Sequence, residues 1–348
     1  MEPLHKQATE LLFLERDRIA DGPLVVLGDQ DADDAEQLHY ELDPHTVRFY
    51  VRYFSDLQNY RERDLHADAA WSPAKDPEVQ TVVVFLSREK DVTELRVAAA
   101  VQAFPNLKEI FLVGHNKLGA KSIHKRFAKQ FDEVDKITSA RHSALVRLAK
   151  PRPAASTAID EAWRTWTLRI DGKEQTIYDL PGVFSRGELD RGSELLIQAL
   201  GANEQSRVLD LGAGSGVLSL AYAQRVPNAE LTLVDHDAMA VASAQKNLEA
   251  AGLTARAKAI FGDVESVRGQ RYDLVISNPP FHAGSEMTTA TAEKWFKAIQ
   301  GLLHRGGELI LVANQHLPYA TPLQESFADV QTIEEDSRYR VWRARKPR

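Results

Sequence analysis

The sequence predicts an α/β protein made of two tandem domains, each with a mostly parallel sheet covered by helices. At 348 residues the chain is too long for one ordinary compact core. In both halves, short apolar runs alternate with segments of helical periodicity, which is typical of a doubly wound sheet. A stretch rich in proline and alanine at 151–156 suits a domain boundary. We therefore divide the chain into a first domain at 1–150, a linker and lead-in segment at 151–185, and a second domain at 186–348.

The second half alternates regularly between strands and helices. Strands are predicted at 207–211, 230–235, 255–261, 272–277 and 308–314, and two closing runs at 330–334 and 338–344 are predicted to pair antiparallel. Helices are predicted at 217–225, 238–250, 288–303 and 318–327. The fourth strand is almost entirely apolar, as a strand buried on both faces should be. An open sheet of this kind binds ligands at the carboxyl ends of its strands.

The first half shows the same alternation less clearly. Strands are predicted at 24–27, 47–51, 82–86 and 110–113, and helices at 92–103 and 121–131. Where the first strand ends, residues 28–31 read Gly-Asp-Gln-Asp, and no glycine cluster follows. The first half therefore predicts a related α/β domain without a turn that holds phosphate or a cofactor.

Composition excludes several classes of function. The chain has no cysteine, which excludes disulfides, thiolate zinc sites and cysteine nucleophiles. No cluster of His, Asp and Glu has metal-ligand spacing, so we predict no metal. No apolar run approaches the ~18 residues needed to cross a membrane. Residues 1–18 lack the apolar centre of a signal peptide, so we expect a cytoplasmic protein with no membrane partner.

The charge is unevenly distributed. The net charge is −7, and residues 1–45 carry 12 acidic against 3 basic side chains. Residues 116–152 carry 10 basic against 3 acidic side chains, and the last 11 residues carry 6 basic side chains and no acid. A local basic surface can bind phosphate even on an acidic protein. The alternatives are solvated helix faces and, for the alternating residues 338–341, an edge strand whose arginines face water.

A glycine-rich turn follows the strand at 207–211. Residues 210–216 read Asp-Leu-Gly-Ala-Gly-Ser-Gly, and a predicted helix begins at Val217. Glycine permits positive φ and lets backbone N–H groups approach a ligand without an intervening Cβ. A nicotinamide-binding turn, Gly-x-Gly-x-x-Gly, would require its third glycine at Val217. A tight glycine turn with no ligand is the alternative interpretation.

The arrangement Asp-x-Gly-x-Gly-x-Gly instead resembles motif I of class I methyltransferases, which bind S-adenosylmethionine. The turn residues expected to bind this cofactor are Asp210, Gly212, Ala213, Gly214 and Gly216. Asp235 ends the next strand, where a carboxylate would bind ribose hydroxyls. Asp263, after the third strand, would accept a hydrogen bond from the adenine amino group. Asp263 is otherwise a solvated carboxylate at the end of a strand.

A second motif, Ser-Asn-Pro-Pro-Phe at 277–281, ends the fourth strand of the second half. Successive prolines stiffen the loop and remove two N–H donors, so its carbonyls are left as acceptors. Two acceptors that hold the hydrogens of a purine amine favour a pyramidal nitrogen, whose lone pair then faces a sulfonium methyl group. We predict that Asn278, Pro279, Pro280 and Phe281 form the catalytic set, with Phe281 stacking on the base. The alternative is a Pro-Pro turn that only closes a strand.

The motifs together identify a family. Asn-Pro-Pro-Phe is similar to the motif of amino-methylating enzymes. Residues 180–186, Leu-Pro-Gly-Val-Phe-Ser-Arg, and residues 189–193, Leu-Asp-Arg-Gly-Ser, resemble the signature of bacterial ribosomal RNA guanine-N2 methyltransferases. Residues 111–119 of the first half resemble the small-subunit type, the ribosomal RNA small subunit methyltransferase C family. The resemblance covers most of the chain and is strong from about residue 178 onward.

This resemblance implies two tandem class I methyltransferase-like (Rossmann-like) domains, of which the N-terminal one is degenerate and helps to recognise RNA. It implies methylation of guanine N2 at one position of 16S rRNA within the small ribosomal subunit. The guanine must be extruded from its stack or already unpaired. Basic residues at 117–152 and the C-terminal arginines would hold RNA phosphates. We expect a monomer.

The lead-in segment contributes one further candidate residue. By the family pattern Phe184 would lie over the cofactor or the target base, and Asp190 could orient Phe184 and Ser185. A linker that packs onto the sheet is the alternative. Ala213 stands where relatives often carry cysteine, at a position whose backbone matters most. His282 is left out of the catalytic set, because the chemistry described needs no base.

Three other functions are consistent with parts of these patterns. A large-subunit 23S rRNA guanine-N2 methyltransferase would share the Phe-Ser-Arg and Asn-Pro-Pro-Phe motifs. Protein glutamine methylation also suits an Asn-Pro-Pro loop, although tyrosine usually follows the prolines there. A noncatalytic RNA-binding assembly factor would retain the pocket only as a relic.

Overall fold

The structure is a computed structural model that describes residues 4–19, 22–42, 47–184, 187–201, 206–279 and 289–347. The chain forms two compact units, Met1–Arg164 and Thr165–Arg348. The proline- and alanine-rich stretch does not separate them. Its first proline ends a strand, and Pro153–Thr157 forms a short helix within the first unit.

The first unit contains a seven-stranded sheet. Its strands are β1 (Leu24–Leu27), β2 (Val47–Val51), β3 (Ala67–Ala69), β4 (Thr81–Phe85), β5 (Glu109–His115), β6 (Phe131–Ala140) and β7 (Ser143–Pro151). Their order across the sheet is β3-β2-β1-β4-β5-β7-β6. Strands β1 to β5 run parallel, and β7 pairs antiparallel with both β5 and β6.

Helices precede, connect and follow the strands of the first unit. They are α1 (Leu4–Leu14), α2 (Ala32–Leu42), α3 (Phe54–Arg61), α4 (Lys90–Ala103), α5 (His124–Phe127) and α6 (Pro153–Thr157). The segment 121–131 differs from its predicted helix. The spacing of Ile123, Phe127 and Phe131 matches a helix, but Phe131 enters the core as the first residue of β6.

The second unit contains a seven-stranded sheet and a separate two-stranded one. The strands of the large sheet are β10 (Arg207–Leu211), β11 (Glu230–Asp235), β12 (Ala257–Phe261), β13 (Tyr272–Ser277), β14 (Leu303–Asn314), β15 (Asp329–Glu335) and β16 (Tyr339–Arg345). Their order is β12-β11-β10-β13-β14-β16-β15, which repeats the topology of the first unit. The small sheet pairs β8 (Arg164–Ile170) with β9 (Lys173–Asp179).

The helices of the second unit cover both faces of its large sheet. They are α7 (Arg191–Ala199), α8 (Val217–Arg225), α9 (Ala238–Ala250), α10 (Thr289–Leu302) and α11 (Ala320–Ser326). Alternate residues of the central strands enter two different cores. On β10, Val208 belongs to one apolar cluster, whereas Leu209 and Leu211 belong to the other. Because both faces are buried, the central strands read as continuous apolar runs, and their positions were predicted correctly.

Two hairpins were not predicted. The β6–β7 hairpin turns at Arg141 and His142, which adopt positive φ values of 49° and 59°. Such a turn normally contains asparagine and glycine, so this pair gave no signal. The β8–β9 hairpin turns at Asp171 and Gly172, with φ values of 48° and 77°. Here the dipeptide Asp-Gly was the available signal.

The closing strands are antiparallel, as predicted, but β16 is not an edge strand. It lies between β14 and β15, and β15 forms the edge. The C-terminal arginines therefore meet acids of neighbouring strands. Arg345 donates to Glu308 at 2.5 Å, and Arg340 donates to Glu335 at 2.8 Å.

Candidate active site

The two predicted loops leave the same edge of the sheet, side by side. Strands β10 and β13 are parallel neighbours at its centre, with Leu209 opposite Val275 and Asp210 opposite Ile276. The hydroxyl of Ser277 donates a hydrogen bond of 2.6 Å to the backbone carbonyl of Leu211. The glycine turn starts at Gly212, directly after Leu211. The Asn-Pro loop, Asn278 and Pro279, starts directly after Ser277. Groups in the two loops can therefore act on one reaction.

The glycine turn requires glycine for two different reasons. Gly212, Gly214 and Gly216 have φ values of 74°, 55° and 84°, a region that side chains disfavour. A Cβ at Gly216 would lie 2.9 Å from Cδ2 of Leu233, so this glycine also permits close packing. A Cβ at Gly214 would meet no atom of the described residues within 4 Å. The space beside Gly214 is therefore available to a ligand.

The backbone N–H groups of the turn are used differently from our expectation. The N–H groups of Gly212 and Ala213 both donate to the carbonyl of Val234, at 2.8 and 3.1 Å. The N–H of Gly214 donates to Oδ2 of Asp235 at 2.8 Å. These three donors hold the turn against β11 and do not point to a ligand. The turn is thus fixed by its own backbone hydrogen bonds, and its glycines carry no side chain that would cover it.

Asp235 lies at the end of β11, where a ribose-binding carboxylate was predicted. Its Oδ2 accepts from Gly214, and its Oδ1 accepts from the N–H of Asp237 at 2.9 Å. The residue is 9% exposed, and burial raises its pKa while these two hydrogen bonds oppose the rise. A carboxylate has about four acceptor positions. Asp235 can therefore orient the turn and still accept hydroxyl groups from a ligand.

Asp210, which was predicted to bind the cofactor, is completely buried in the protein. Its side chain is 0% exposed, and Oδ2 accepts from both the N–H (3.1 Å) and the hydroxyl (2.7 Å) of Ser219. Its Oδ1 is buried and has no hydrogen-bond partner among the residues that the structure describes. Burial raises the pKa of Asp210 to about 7. Asp210 fastens the first turns of α8 to the end of β10, so its role is to position the glycine turn.

Asp263 follows β12 and starts a short 3-10 helix, Val264–Val267. Its Oδ1 accepts from the N–H groups of Glu265 and Ser266, at 3.0 and 3.1 Å. The hydroxyl of Ser266 accepts in return from the N–H of Asp263. This capping box fixes the carboxylate, which is half-buried. A contact between Asp263 and adenine stays a prediction.

Asn278 is half-buried, and its amide nitrogen is fixed from α7. Nδ2 donates to Oδ1 of Asp190 at 3.1 Å and to the hydroxyl of Ser193 at 2.9 Å. Asp190 thus orients Asn278, whereas we had expected it to orient Phe184 and Ser185. Pro279 is buried. The predicted residues Pro280 and Phe281, like Ser185, lie outside the described residues.

The lead-in segment is tied to the glycine turn through α9. Asn247 accepts from the N–H of Tyr178 at 2.8 Å, and its Nδ2 donates to the carbonyls of Tyr178 and Ser215, each at 3.0 Å. Ser243 accepts from the N–H of Leu180 at 3.0 Å. Phe184 follows this anchored stretch and is 48% exposed, which is unusual for a large apolar side chain.

Sequence reasoning missed Asn247 and Ser243. Both are fully buried polar residues on one face of an alanine-rich helix, four positions apart. That spacing of small polar side chains among alanines was the available signal. Buried polar groups of this kind need hydrogen-bond partners, which here are backbone groups of the lead-in segment and the turn.

The corresponding position in the first unit is filled by the protein itself. A Cβ at Gly28 would lie 2.6 Å from Oε1 of Gln30 and 2.7 Å from Cβ of Phe85. Arg96 of α4 is buried and donates to Asp29 at 2.5 Å and to the carbonyl of Phe85 at 3.3 Å. These side chains occupy the end of β1, where the second unit has its open turn. This agrees with a degenerate first unit.

In the six described ranges, no group of three or more His, Asp or Glu side chains is arranged to bind a metal ion. Within the same ranges, no helix combines the length and hydropathy needed to cross a bilayer.

Comparisons with known proteins give one consistent family. The Methyltransferase small domain model matches residues 174–343, and the Methyltransferase small domain N-terminal model matches residues 9–166. Ribosomal RNA small subunit methyltransferase C of Haemophilus influenzae (strain PittGG) is 35% identical over 75% of this chain and 78% of its own. The protein of the same name from Escherichia coli O157:H7 is 32% identical over 97% of this chain and 96% of its own.

A solved structure covers nearly the whole chain. The T. Thermophilus 16S rRNA N2 G1207 methyltransferase (RsmC), in complex with AdoMet and guanosine, is 27% identical and superimposes with a TM-score of 0.77. The match covers 97% of this chain and 91% of the solved one. Both units therefore have the fold of that protein.

The buried Asp210 predicts a pH dependence of stability. Its pKa in the folded protein, about 7, is higher than in the unfolded chain, so the folded state binds the proton more tightly. Its contribution to stability is therefore greatest below about pH 4 and is lost as the pH rises through about 7. In Asp210→Asn this loss should disappear. The loss of stability is measured as the change in calorimetric melting temperature between pH 5 and pH 8. The control is Asp329→Asn, at an exposed aspartate. A decline in Asp210→Asn equal to that of the wild type would contradict the assignment.

Proposed function

The chain belongs to the ribosomal RNA small subunit methyltransferase C family, and we propose that it is an S-adenosylmethionine-dependent RNA methyltransferase. Its substrate is the exocyclic N2 amine of one guanosine in 16S rRNA of the small ribosomal subunit. One observation carries the proposal: the Ser277–Leu211 hydrogen bond sets Asn278 beside the glycine turn. The T. Thermophilus relative acts on G1207, and the target is the corresponding guanosine.

The second unit fits the cofactor by the chemistry of its residues. No atom of the described residues lies within 4 Å of a Cβ built at Gly214, Asp235 keeps acceptor positions for ribose hydroxyls, and Asp263, which follows the neighbouring strand β12, is the carboxylate that we assign to the adenine amino group. Phe184 offers an exposed ring. When bound, S-adenosylmethionine supplies a methyl group that its sulfonium centre already activates. The protein therefore needs alignment more than a strong acid or base.

The Asn-Pro loop provides acceptors for the target amine. The lone pair of a guanine N2 amine is delocalised into the ring, which makes the nitrogen a poor nucleophile. The side-chain carbonyl of Asn278 and the backbone carbonyl of Pro279 accept its two hydrogens and favour a pyramidal nitrogen. Phe281 stacks on the base by its place in the motif. The methylated amine then releases one proton to water.

Two observations bear on the alternative functions. The relatives that cover most of this chain are named for the small subunit, which favours 16S over 23S rRNA and over a protein substrate. The glycine turn, Asp235 and Asn278 keep an ordered hydrogen-bond network. A relic pocket in an assembly factor would have no reason to keep it.

Among the basic residues at 117–152, the arginines and a set of four lysines have different surroundings. The arginines at 126–152 are bound to acids: Arg126 to Glu94 at 2.5 Å, Arg141 to Glu10, Arg147 to Glu109 at 2.7 Å and Arg152 to Asp132 at 2.7 Å. Four exposed lysines at intervals of four residues have no acidic partner in the described part of the chain: Lys117, Lys121, Lys125 and Lys129. Since their charges are not neutralised, we propose that these lysines, more than the arginines, hold RNA phosphates.

The substrate predicts a clear preference between ribosomal particles. With labelled S-adenosylmethionine, small subunits that lack the modification should accept about one methyl group each, whereas large subunits and 23S rRNA should accept none. Mass mapping of the product should place the label on N2 of a single guanosine. Equal labelling of both subunits, or labelling of a protein component, would contradict the proposal.

Substitutions should separate cofactor binding from methyl transfer. Asp235→Ala removes charged acceptors for ribose, so calorimetric affinity for S-adenosylmethionine should fall roughly 10- to 100-fold. Asn278→Ala should leave that affinity largely intact while kcat falls roughly 100-fold or more, since it removes an acceptor for the amine. If Asn278→Ala turned over at the wild-type rate, the catalytic assignment would be wrong.

The lysine group predicts a change in salt dependence. Substituting Lys117, Lys121, Lys125 and Lys129 by alanine should reduce the slope of log K against log salt for small-subunit binding by about 3. The matched control replaces four exposed lysines elsewhere, Lys75, Lys108, Lys173 and Lys258. Cofactor affinity should not change in either variant. Equal salt slopes for the two variants would show that the lysine group does not hold RNA.

A further inference from the structure

We infer that Asp190 and Ser193 are positioning residues for methyl transfer, because they fix which end of the Asn278 amide faces the target amine. This inference rests on the proposed function of Asn278. Its basis is a pair of hydrogen bonds between residues more than 80 positions apart in the chain. Asn278 Nδ2 donates to Asp190 Oδ1 at 3.1 Å and to Ser193 Oγ at 2.9 Å.

An asparagine amide needs such control because its two ends have nearly the same shape. A half-turn of the amide exchanges the carbonyl oxygen for the NH2 group. With the oxygen forward, Asn278 accepts a hydrogen from the guanine amine. With the NH2 group forward, two donors would face each other and the amine would be repelled. Only one of the two orientations therefore supports the reaction.

Asp190 and Ser193 make different contributions to this choice. An ionised carboxylate can only accept hydrogen bonds, whereas a hydroxyl can accept or donate. If the amide turned over, its oxygen would face the carboxylate of Asp190 at about 3 Å, which is unfavourable. Ser193 tolerates either orientation but holds the amide in place. Asp190 thus selects the orientation, and Ser193 secures the position.

The first turn of α7 holds these two side chains rigidly. Asp190 is the N-cap of α7, and its Oδ1 also accepts from the N–H of Ser193 at 3.1 Å. Arg191 is paired with Glu194 and with Asp336, each at 2.8 Å, and Asp336 lies between β15 and β16.

Gly192 makes this close approach possible. A Cβ at Gly192 would lie 3.1 Å from Asp190 Oδ1, 3.4 Å from Asn278 Nδ2 and 3.4 Å from Cε1 of Tyr339. A side chain there would push against the carboxylate and the amide together. Each residue of Asp-Arg-Gly-Ser at 190–193 thus has a role. Asp190 caps α7, Arg191 forms ion pairs, Gly192 leaves room for the close approach, and Ser193 is a second acceptor for Asn278.

The test uses a substitution that preserves the helix cap. In Asp190→Ser the hydroxyl can still cap α7, but it is too short to accept from Asn278 and it lacks the charge. We expect kcat on small subunits to fall roughly 10-fold, and Ser193→Ala to lower it roughly 3-fold. The KM for S-adenosylmethionine and the melting temperature should change little. The matched control is Asp31→Ser, at the start of α2, where Asp31 accepts from the N–H of Asp34 at 2.8 Å.

A double-mutant cycle distinguishes positioning from a structural effect. If Asp190 acts through Asn278, then Asp190→Ser should lower kcat in the wild-type background and not further in the Asn278→Ala background. The inference would be overturned if Asp190→Ser lowered kcat by the same factor in both backgrounds. It would also be overturned if Asp190→Ser had the kcat of the wild type.

A second measurement does not depend on activity. With asparagine labelled by 15N, the NH2 signals of Asn278 are identified by their loss in Asn278→Ala. In the wild type they should exchange slowly with water, and exchange should be faster in Asp190→Ser and Ser193→Ala. Unchanged exchange in both variants would refute the inference. Slow exchange in a wild-type protein that methylates no small subunit would instead refute the proposed function alone.

Discussion

The hydrogen bond from Ser277 to the carbonyl of Leu211 joins the two strands on which the active site depends. Strand β10 has β11 on one side and β13 on the other. The chain adds β11 and β12 on one side of β10 and then returns to add β13 and β14 on the other, so the strand order reverses at β10. At such a reversal the connecting helices diverge and leave a crevice at the carboxyl ends of the strands. The glycine turn and the Asn-Pro loop both open into that crevice. Burial of both strands on both faces keeps the two loops in register.

The two units show how one topology can hold a ligand site or close it. The strand order is the same in both, yet the turn after β10 has three glycines with positive φ, whereas the turn after β1 has one glycine beneath Gln30 and Phe85. In the first unit, Arg96 also reaches across to Asp29. Although burial opposes ionisation of Asp29, the charge of Arg96 lowers its pKa. In the first unit, the buried and paired Arg96 thus fills the position where the second unit has an open space.

The sequence predicted the parts of the site that depend on local patterns. Apolar runs located the central strands, and glycine spacing located the turn, because burial on two faces and positive φ each restrict residue type. Contacts between distant segments could not be predicted in this way. Nothing near Asp190 indicates that its carboxylate meets Asn278, and nothing near Asp210 indicates that it turns toward Ser219. The hairpin at Arg141 and His142 was missed because its turn lacks the usual residues.

The amide of Asn247 bridges the lead-in strand β9 and the glycine turn, with bonds to Tyr178 on one side and Ser215 on the other. A single rigid group that serves both segments makes their order mutually dependent. If the turn shifted, this amide would have to shift with it or lose its bond to Ser215, and the segment leading to Phe184 would then lose part of its support.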